Sequence, residues 1–71
     1  MNHKKYNYIA VIQDGKTKLV TGWDTKKCYW FDSEKPKAMT QSLALDFVYG
    51  LCLNGYKAYM LVSLWEIDEQ F

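Results

Sequence analysis

The chain has 71 residues, of which 49% are hydrophobic and 17% aromatic, and its formal net charge is +1. This length leaves room for one domain and one core, so residues 1–71 are assigned to a single domain. The apolar content excludes a disordered segment, and the net charge excludes the strong imbalance that points to a polyionic partner.

The chain begins with a predicted β-hairpin. Residues 6–13 are rich in β-branched and aromatic side chains, which favours a strand. Asp14-Gly15 follows, and this dipeptide suits a two-residue type I′ turn because both positions need a positive φ. Residues 16–23 are therefore predicted to return as the second strand.

The two-residue loop predicts the pairing of the hairpin strands: Gln13 faces Lys16, Val11 faces Lys18, Ile9 faces Val20 and Tyr6 faces Trp23. Side chains alternate along each strand, so the first face carries Ile9, Val11 and Val20. The second face carries Tyr6, Tyr8, Ala10, Ile12, Leu19 and Trp23. Both faces are apolar near the base of the hairpin, whereas a sheet with one wet face should be more polar on that side.

A turn at residues 24–27 and a short third strand at residues 28–31 come next. Residues 32–37 resemble a linker, and Pro36 biases Lys35 away from helix. The two cysteines, Cys28 and Cys52, are too few for a disulfide scaffold. They favour two buried free thiols over a single bridge.

A single helix is predicted after the linker. Thr40 is the expected N-cap, and Gly55 after Asn54 is the expected stop because glycine adopts a left-handed conformation at little cost. Helical spacing places six residues on one apolar face: Leu43, Ala44, Phe47, Val48, Leu51 and Cys52. We expect the first five of these residues to pack on Ile9, Val11, Val20 and one face of the last predicted strand.

The last predicted strand, residues 56–67, is apolar on both faces. Such a strand is typical of the middle of a sheet that is covered on both sides, yet one helix covers one side only. Three resolutions stay open: the sheet curls onto itself, a second copy packs there, or another molecule binds there. The predicted fold is α+β, with element order β-β-β-α-β, a three- or four-stranded antiparallel sheet and one helix on one face.

The sequence does not favour an enzyme. Its single histidine, His3, lies at the N-terminus, and no glycine-rich phosphate loop is present. We therefore expect no catalytic residues, no cofactor and no metal site. No signal peptide and no apolar run of about 20 residues is visible, so we expect no membrane partner and a cytoplasmic address.

Single-stranded nucleic acid is the alternative partner. Residues 1–37 hold eight lysines against four acids, a charge of +4, and lysines stand beside aromatic residues of the hairpin. Basic and aromatic residues on one sheet can hold phosphates and stack bases. However, all nine basic residues are lysine, and base or phosphate recognition usually relies on arginine.

Protein binding is the preferred function. Aromatic side chains on a sheet face suit a protein partner or a self-complementary homodimer. The candidate partner-binding residues are Tyr6, Tyr8, Trp23, Tyr59 and Trp65.

The order of hairpin, linker, helix and final strand, with Glu34-Lys35-Pro36 and the stretch Leu51 to Ala58 (LCLNGYKA), resembles small proteins of phages and mobile elements in Gram-positive bacteria. The likeness covers residues 6–62 and rests on the linker proline and the Asn-Gly helix stop. It implies an accessory or host-interaction role and transfers no catalytic or binding residue.

Overall fold

The computed structural model describes residues 4–24, 27–31 and 33–69. His3, the middle of the predicted turn (Thr25 and Lys26) and Asp32 of the predicted linker lie outside the described residues. The described elements are β1 (Tyr6–Gln13), β2 (Lys16–Leu19), β3 (Gly22–Trp23), β4 (Cys28–Tyr29), α1 (Gln41–Leu53) and β5 (Lys57–Ser63). The predicted α+β class is confirmed, with one helix and a small antiparallel sheet.

The main sheet has three antiparallel strands in the order β2-β1-β5, and β3 pairs with β4 in a separate ribbon. β1 is therefore the central strand and β5 lies at an edge, although the apolar pattern of the last strand is typical of a central one. That strand is also shorter than expected. The Ser63 hydroxyl oxygen accepts from the backbone N–H of Trp65 at 3.0 Å, and this local turn ends β5.

The Asp-Gly hairpin forms as predicted. Asp14 and Gly15 have φ values of 54° and 76°, and Gln13 lies opposite Lys16. The backbone N–H of Val20 donates to the carbonyl of Ile9 at 3.0 Å, which agrees with the predicted register.

The predicted Tyr6–Trp23 pairing is wrong. Tyr6 lies opposite Ser63, and Trp23 lies opposite Cys28. The returning strand leaves β1 after Val20, whose carbonyl accepts from the N–H of Lys37 at 2.9 Å. The N–H of Met39 then donates to the carbonyl of Asn7 at 2.9 Å. Residues 37–39 thus occupy the position beside β1 that the prediction gave to Trp23.

Both ends of α1 form as predicted. The Thr40 hydroxyl accepts from the N–H of Leu43 at 3.3 Å, which satisfies one of the unpaired donors of the first turn. At the other end, Gly55 has a φ of 90°, and the N–H of Tyr56 donates to the carbonyl of Leu51. This pattern is a Schellman stop, and it turns the chain directly into β5.

The core lies between α1 and the first face of the sheet, as predicted. Its buried members are Ile9, Val11, Val20, Cys28, Ala44 and Leu51. Phe47, Val48, Ala58 and Met60 pack against them. One member of the predicted helix face, Cys52, is exposed, because it lies at the margin of that face beside β5. Both cysteines are free thiols, and the expectation that both are buried holds only for Cys28.

The second face of the sheet is closed by the chain itself near the middle of β1. Tyr8, Ala10 and Leu19 have no exposed surface. The backbone N–H of Ile67 donates to the Tyr8 hydroxyl at 2.8 Å, so the residues after β5 cross this face. Lys35 forms ion pairs with Glu66 and Asp68, which tie the same residues to the stretch around buried Pro36.

Candidate interaction surface

The five aromatic residues proposed from the sequence do not lie on one surface. Tyr8 is fully buried, and Tyr6 is half-buried with the Lys4 ammonium 5.1 Å from its ring centroid. Trp23 lies on the helix side of the molecule, where its ring is 5.3 Å from that of Phe47. Its ring also lies 4.8 Å from the Lys37 ammonium. Tyr59 and Trp65 are exposed.

The positions of these rings also affect the nucleic-acid hypothesis, which needs lysines beside aromatic rings that are free to stack on bases. Lys4 and Lys37 both sit over aromatic rings of this chain, at distances typical of cation–π contacts. Two of the rings that the nucleic-acid hypothesis uses for stacking are covered, Tyr8 by the chain after β5 and Trp23 by α1. The described residues therefore offer no continuous stacking platform on the hairpin.

A groove of about 620 Å³ lies between α1 and the β4 region. Its apolar walls include Trp30, Phe47 and Tyr56, and the Trp30 and Tyr56 rings meet edge to face at 5.8 Å. Lys27 and Asp46 supply opposite charges. The volume falls within the range of small-ligand sites, but the lining contains no paired nucleophile and base.

Cys28 lies in the wall of this groove. Burial raises the pKa of its thiol to about 11, because removing the group from water disfavours the thiolate. A reactive cysteine needs a lowered pKa, so Cys28 has the character of a core thiol. Among the described residues, no cluster of three or more His, Cys, Asp or Glu side chains could hold a metal ion.

The two edges of the main sheet differ in how well they are protected against pairing with a strand of another molecule. β2 forms one edge and carries Lys16 and Lys18 within its four residues, and charged edge strands discourage pairing with another strand. β5 forms the other edge, is seven residues long and carries one charge, Lys57, at its first position. The centre of β5 therefore has no charge that would oppose a partner strand.

The open side of β5 presents regularly spaced backbone groups. The Asn7 and Ile9 carbonyls point away from β5, because they accept from Met39 and Val20. Antiparallel alternation then directs the backbone groups of Tyr8 and Ala10 toward Leu61 and Tyr59 of β5. The intervening β5 residues, Ala58, Met60 and Val62, must direct their N–H and C=O groups outward.

One contact supports this orientation. The thiol of Cys52 lies 3.5 Å from the carbonyl oxygen of Ala58 and donates to it from α1. The side of α1 next to the open edge of β5 is therefore the one that carries Cys52. We call Leu45, Tyr49 and Cys52 the helix flank, because residues spaced by three, four and seven share one side of a helix.

The helix flank is exposed and largely apolar. Leu45 is 47% exposed and Tyr49 is 68% exposed, and Val62 on β5 is 49% exposed. The sequence pattern did not identify this surface, because Leu45 and Tyr49 lie outside the six-residue apolar face predicted for the helix. The signal that could have found it is the four-residue spacing of Leu45 and Tyr49, which is typical of a second apolar stripe.

Comparisons with known proteins find no match to a family model, to a curated protein or to a solved structure. In the part of the chain that the structure describes, no helix combines the length and apolarity that a bilayer crossing requires. The candidate site consists of the open edge of β5 and the helix flank beside it.

Proposed function

We propose that this protein is a small, non-catalytic protein-interaction module that binds its partner along the open edge of β5. The observation that carries the proposal is the difference between the two sheet edges. β2 is protected by Lys16 and Lys18, whereas β5 has outward backbone groups and an uncharged centre. A strand added at such an edge gains main-chain hydrogen bonds, and adjoining side chains supply selectivity.

The exposed side chains beside the edge support this use. Tyr59 projects on the second face of the sheet, and Val62 and Tyr49 lie on the helix side. Aromatic side chains at such positions provide large contact areas at low entropic cost. The role is of the accessory or host-interaction kind that the resemblance to small phage and mobile-element proteins implies.

The proposal is tested by selecting displayed random 12-residue peptides on the folded protein. The selected peptides are then titrated into ¹⁵N-labelled protein. We expect the largest amide shifts at Met60 and Val62, with loss of binding in Val62→Lys, because an edge lysine discourages strand addition. Val62→Thr is the matched control, since it keeps the β-branched shape without a charge, and it should retain binding.

Two results contradict the proposal. Selected peptides that shift the groove residues Trp30 and Tyr56 but not Met60 would place the interaction in the groove. Equal binding by Val62→Lys and Val62→Thr would show that the edge is not used. Because Val62 is half exposed, both variants should fold, and circular dichroism checks this directly.

A further inference from the structure

We infer that the partner at this edge is a second copy of the chain, paired β5 to β5 in an antiparallel manner about a two-fold axis at Met60. The inference rests on the proposed function and names its partner. It follows from the backbone orientation, the residue register and the position of α1.

The backbone orientation permits a symmetric ladder centred on Met60. Ala58, Met60 and Val62 all direct their N–H and C=O groups outward, and Met60 lies midway between the other two. With the axis at Met60, this residue faces itself, and Ala58 faces Val62 of the second copy. Such an arrangement forms about six hydrogen bonds and joins the two sheets into one continuous sheet.

The register is self-complementary along the whole strand. An axis at Met60 pairs all seven residues of β5, whereas an axis at Ala58 or Val62 leaves part of the strand unpaired. Lys57 then faces Ser63 of the second copy, so no like charges oppose each other. On the second face, Tyr59 faces Leu61 of the second copy, an aromatic–aliphatic pair that stabilises antiparallel strands.

The two copies of α1 can pack against each other about the same two-fold axis at Met60. α1 contacts both β1 and β5, so we take its axis to lie over the midline between these strands. Strands lie about 4.8 Å apart, which places each helix about 5 Å from the two-fold axis and the two helices about 10 Å apart. This spacing agrees with the 8–10 Å of packed helices. The facing sides are the helix flanks, and the exposed Leu45 and Tyr49 side chains would be buried there.

Disulfide crosslinking tests the proposed register between the β5 strands of the two copies. In a Cys52→Ser background, Met60→Cys places the two new thiols on facing residues, with Cα atoms about 5.5 Å apart, which a disulfide can span. We expect a covalent dimer on mild oxidation. Val62→Cys is the matched control, because the two copies of residue 62 lie about 13 Å apart along the strand direction and should not crosslink.

Sedimentation equilibrium of the unmodified full chain, over micromolar to millimolar concentrations, tests the assembly itself. We expect a monomer–dimer equilibrium that is retained in Val62→Thr and weakened at least about tenfold in Val62→Lys. A dimer that crosslinks through Val62→Cys and not Met60→Cys overturns the register. If the chain stays monomeric at every concentration, the partner at this edge is not a second copy. Selected peptides that still shift the Met60 amide signal would then support the proposed function with a different partner.

Discussion

The hydroxyl of Tyr8 and the backbone N–H of Ile67 are joined by a 2.8 Å hydrogen bond that spans nearly the whole chain. Tyr8 stands at the centre of the sheet, and Ile67 lies beyond the last strand. This bond fixes the C-terminal residues across the second face, and that face is the one that α1 does not cover. The chain thereby hides Tyr8 without a partner.

The first prediction concerns this bond. Tyr8→Phe keeps the ring but removes the acceptor, so the half-buried N–H of Ile67 loses its partner. We expect the free energy of unfolding to fall by about 1–2 kcal/mol in urea denaturation. Tyr49→Phe is the control, because the Tyr49 side chain is exposed, and its stability should stay within about 0.5 kcal/mol of the native chain. Equal effects of the two changes would contradict the role given to Tyr8.

The second prediction concerns the helix–sheet core. Phe47 packs on the core cluster and its ring lies 5.3 Å from that of Trp23. Phe47→Ala should lower the free energy of unfolding by about 3 kcal/mol, the lower end of the usual range because Phe47 is only partly buried. Leu53→Ala on the exposed side of α1 is the control and should change little. A thermal melt of Phe47→Ala that coincides with the native melt would contradict the packing.

The third prediction compares the same substitution, glycine to alanine, at two positions of the chain. Gly55 has a φ of 90°, which an alanine adopts only at a cost, so Gly55→Ala should lower stability by about 1 kcal/mol. Gly50 lies inside α1, and a Cβ added there meets nothing within 4 Å. Gly50→Ala should therefore raise stability by up to about 1 kcal/mol, because alanine favours the helix. Denaturant midpoints of the two variants should move in opposite directions.

The fourth prediction concerns alkaline pH. Burial raises the pKa of Cys28 from 9.0 to about 11, so the unfolded chain releases this proton at a lower pH than the folded chain. Stability should fall as the pH rises from about 9 to about 11, and this part of the fall should be absent in Cys28→Ala. At pH 8, a thiol reagent should modify the exposed Cys52 quickly and Cys28 slowly. Fast reaction of both thiols would contradict the burial of Cys28.

The fifth prediction concerns nucleic acid. Because Tyr8 is buried and Trp23 is covered by Phe47 and Lys37, we expect no saturable binding of labelled single strands at low salt. Fluorescence anisotropy at two salt concentrations measures this, since phosphate contacts are strongest at low salt. Saturable, salt-sensitive binding that is lost when Lys4 and Lys5 are replaced by glutamine would support the nucleic-acid alternative instead.

The sequence by itself determined the features that depend on local chemistry. Asp14-Gly15 has the residues that a type I′ turn needs, and the resulting register follows from strand alternation. Thr40 and Gly55 mark the ends of α1 because capping depends on the residue at one position. The spacing of Ala44, Phe47 and Leu51 likewise predicted which side of the helix faces the sheet.

Only the tertiary structure decided the features that depend on residues far apart in the chain. Residues 37–39 displace the returning hairpin strand from β1, and this turns Trp23 from the second face toward α1. Ile67 reaches Tyr8 across 59 positions, a contact that no local pattern encodes. The order β2-β1-β5 leaves β5 at the edge, because strand order is set by the competition of distant segments for β1. The proposed interaction surface exists for that reason: a strand whose two apolar faces are typical of the middle of a sheet lies at its edge.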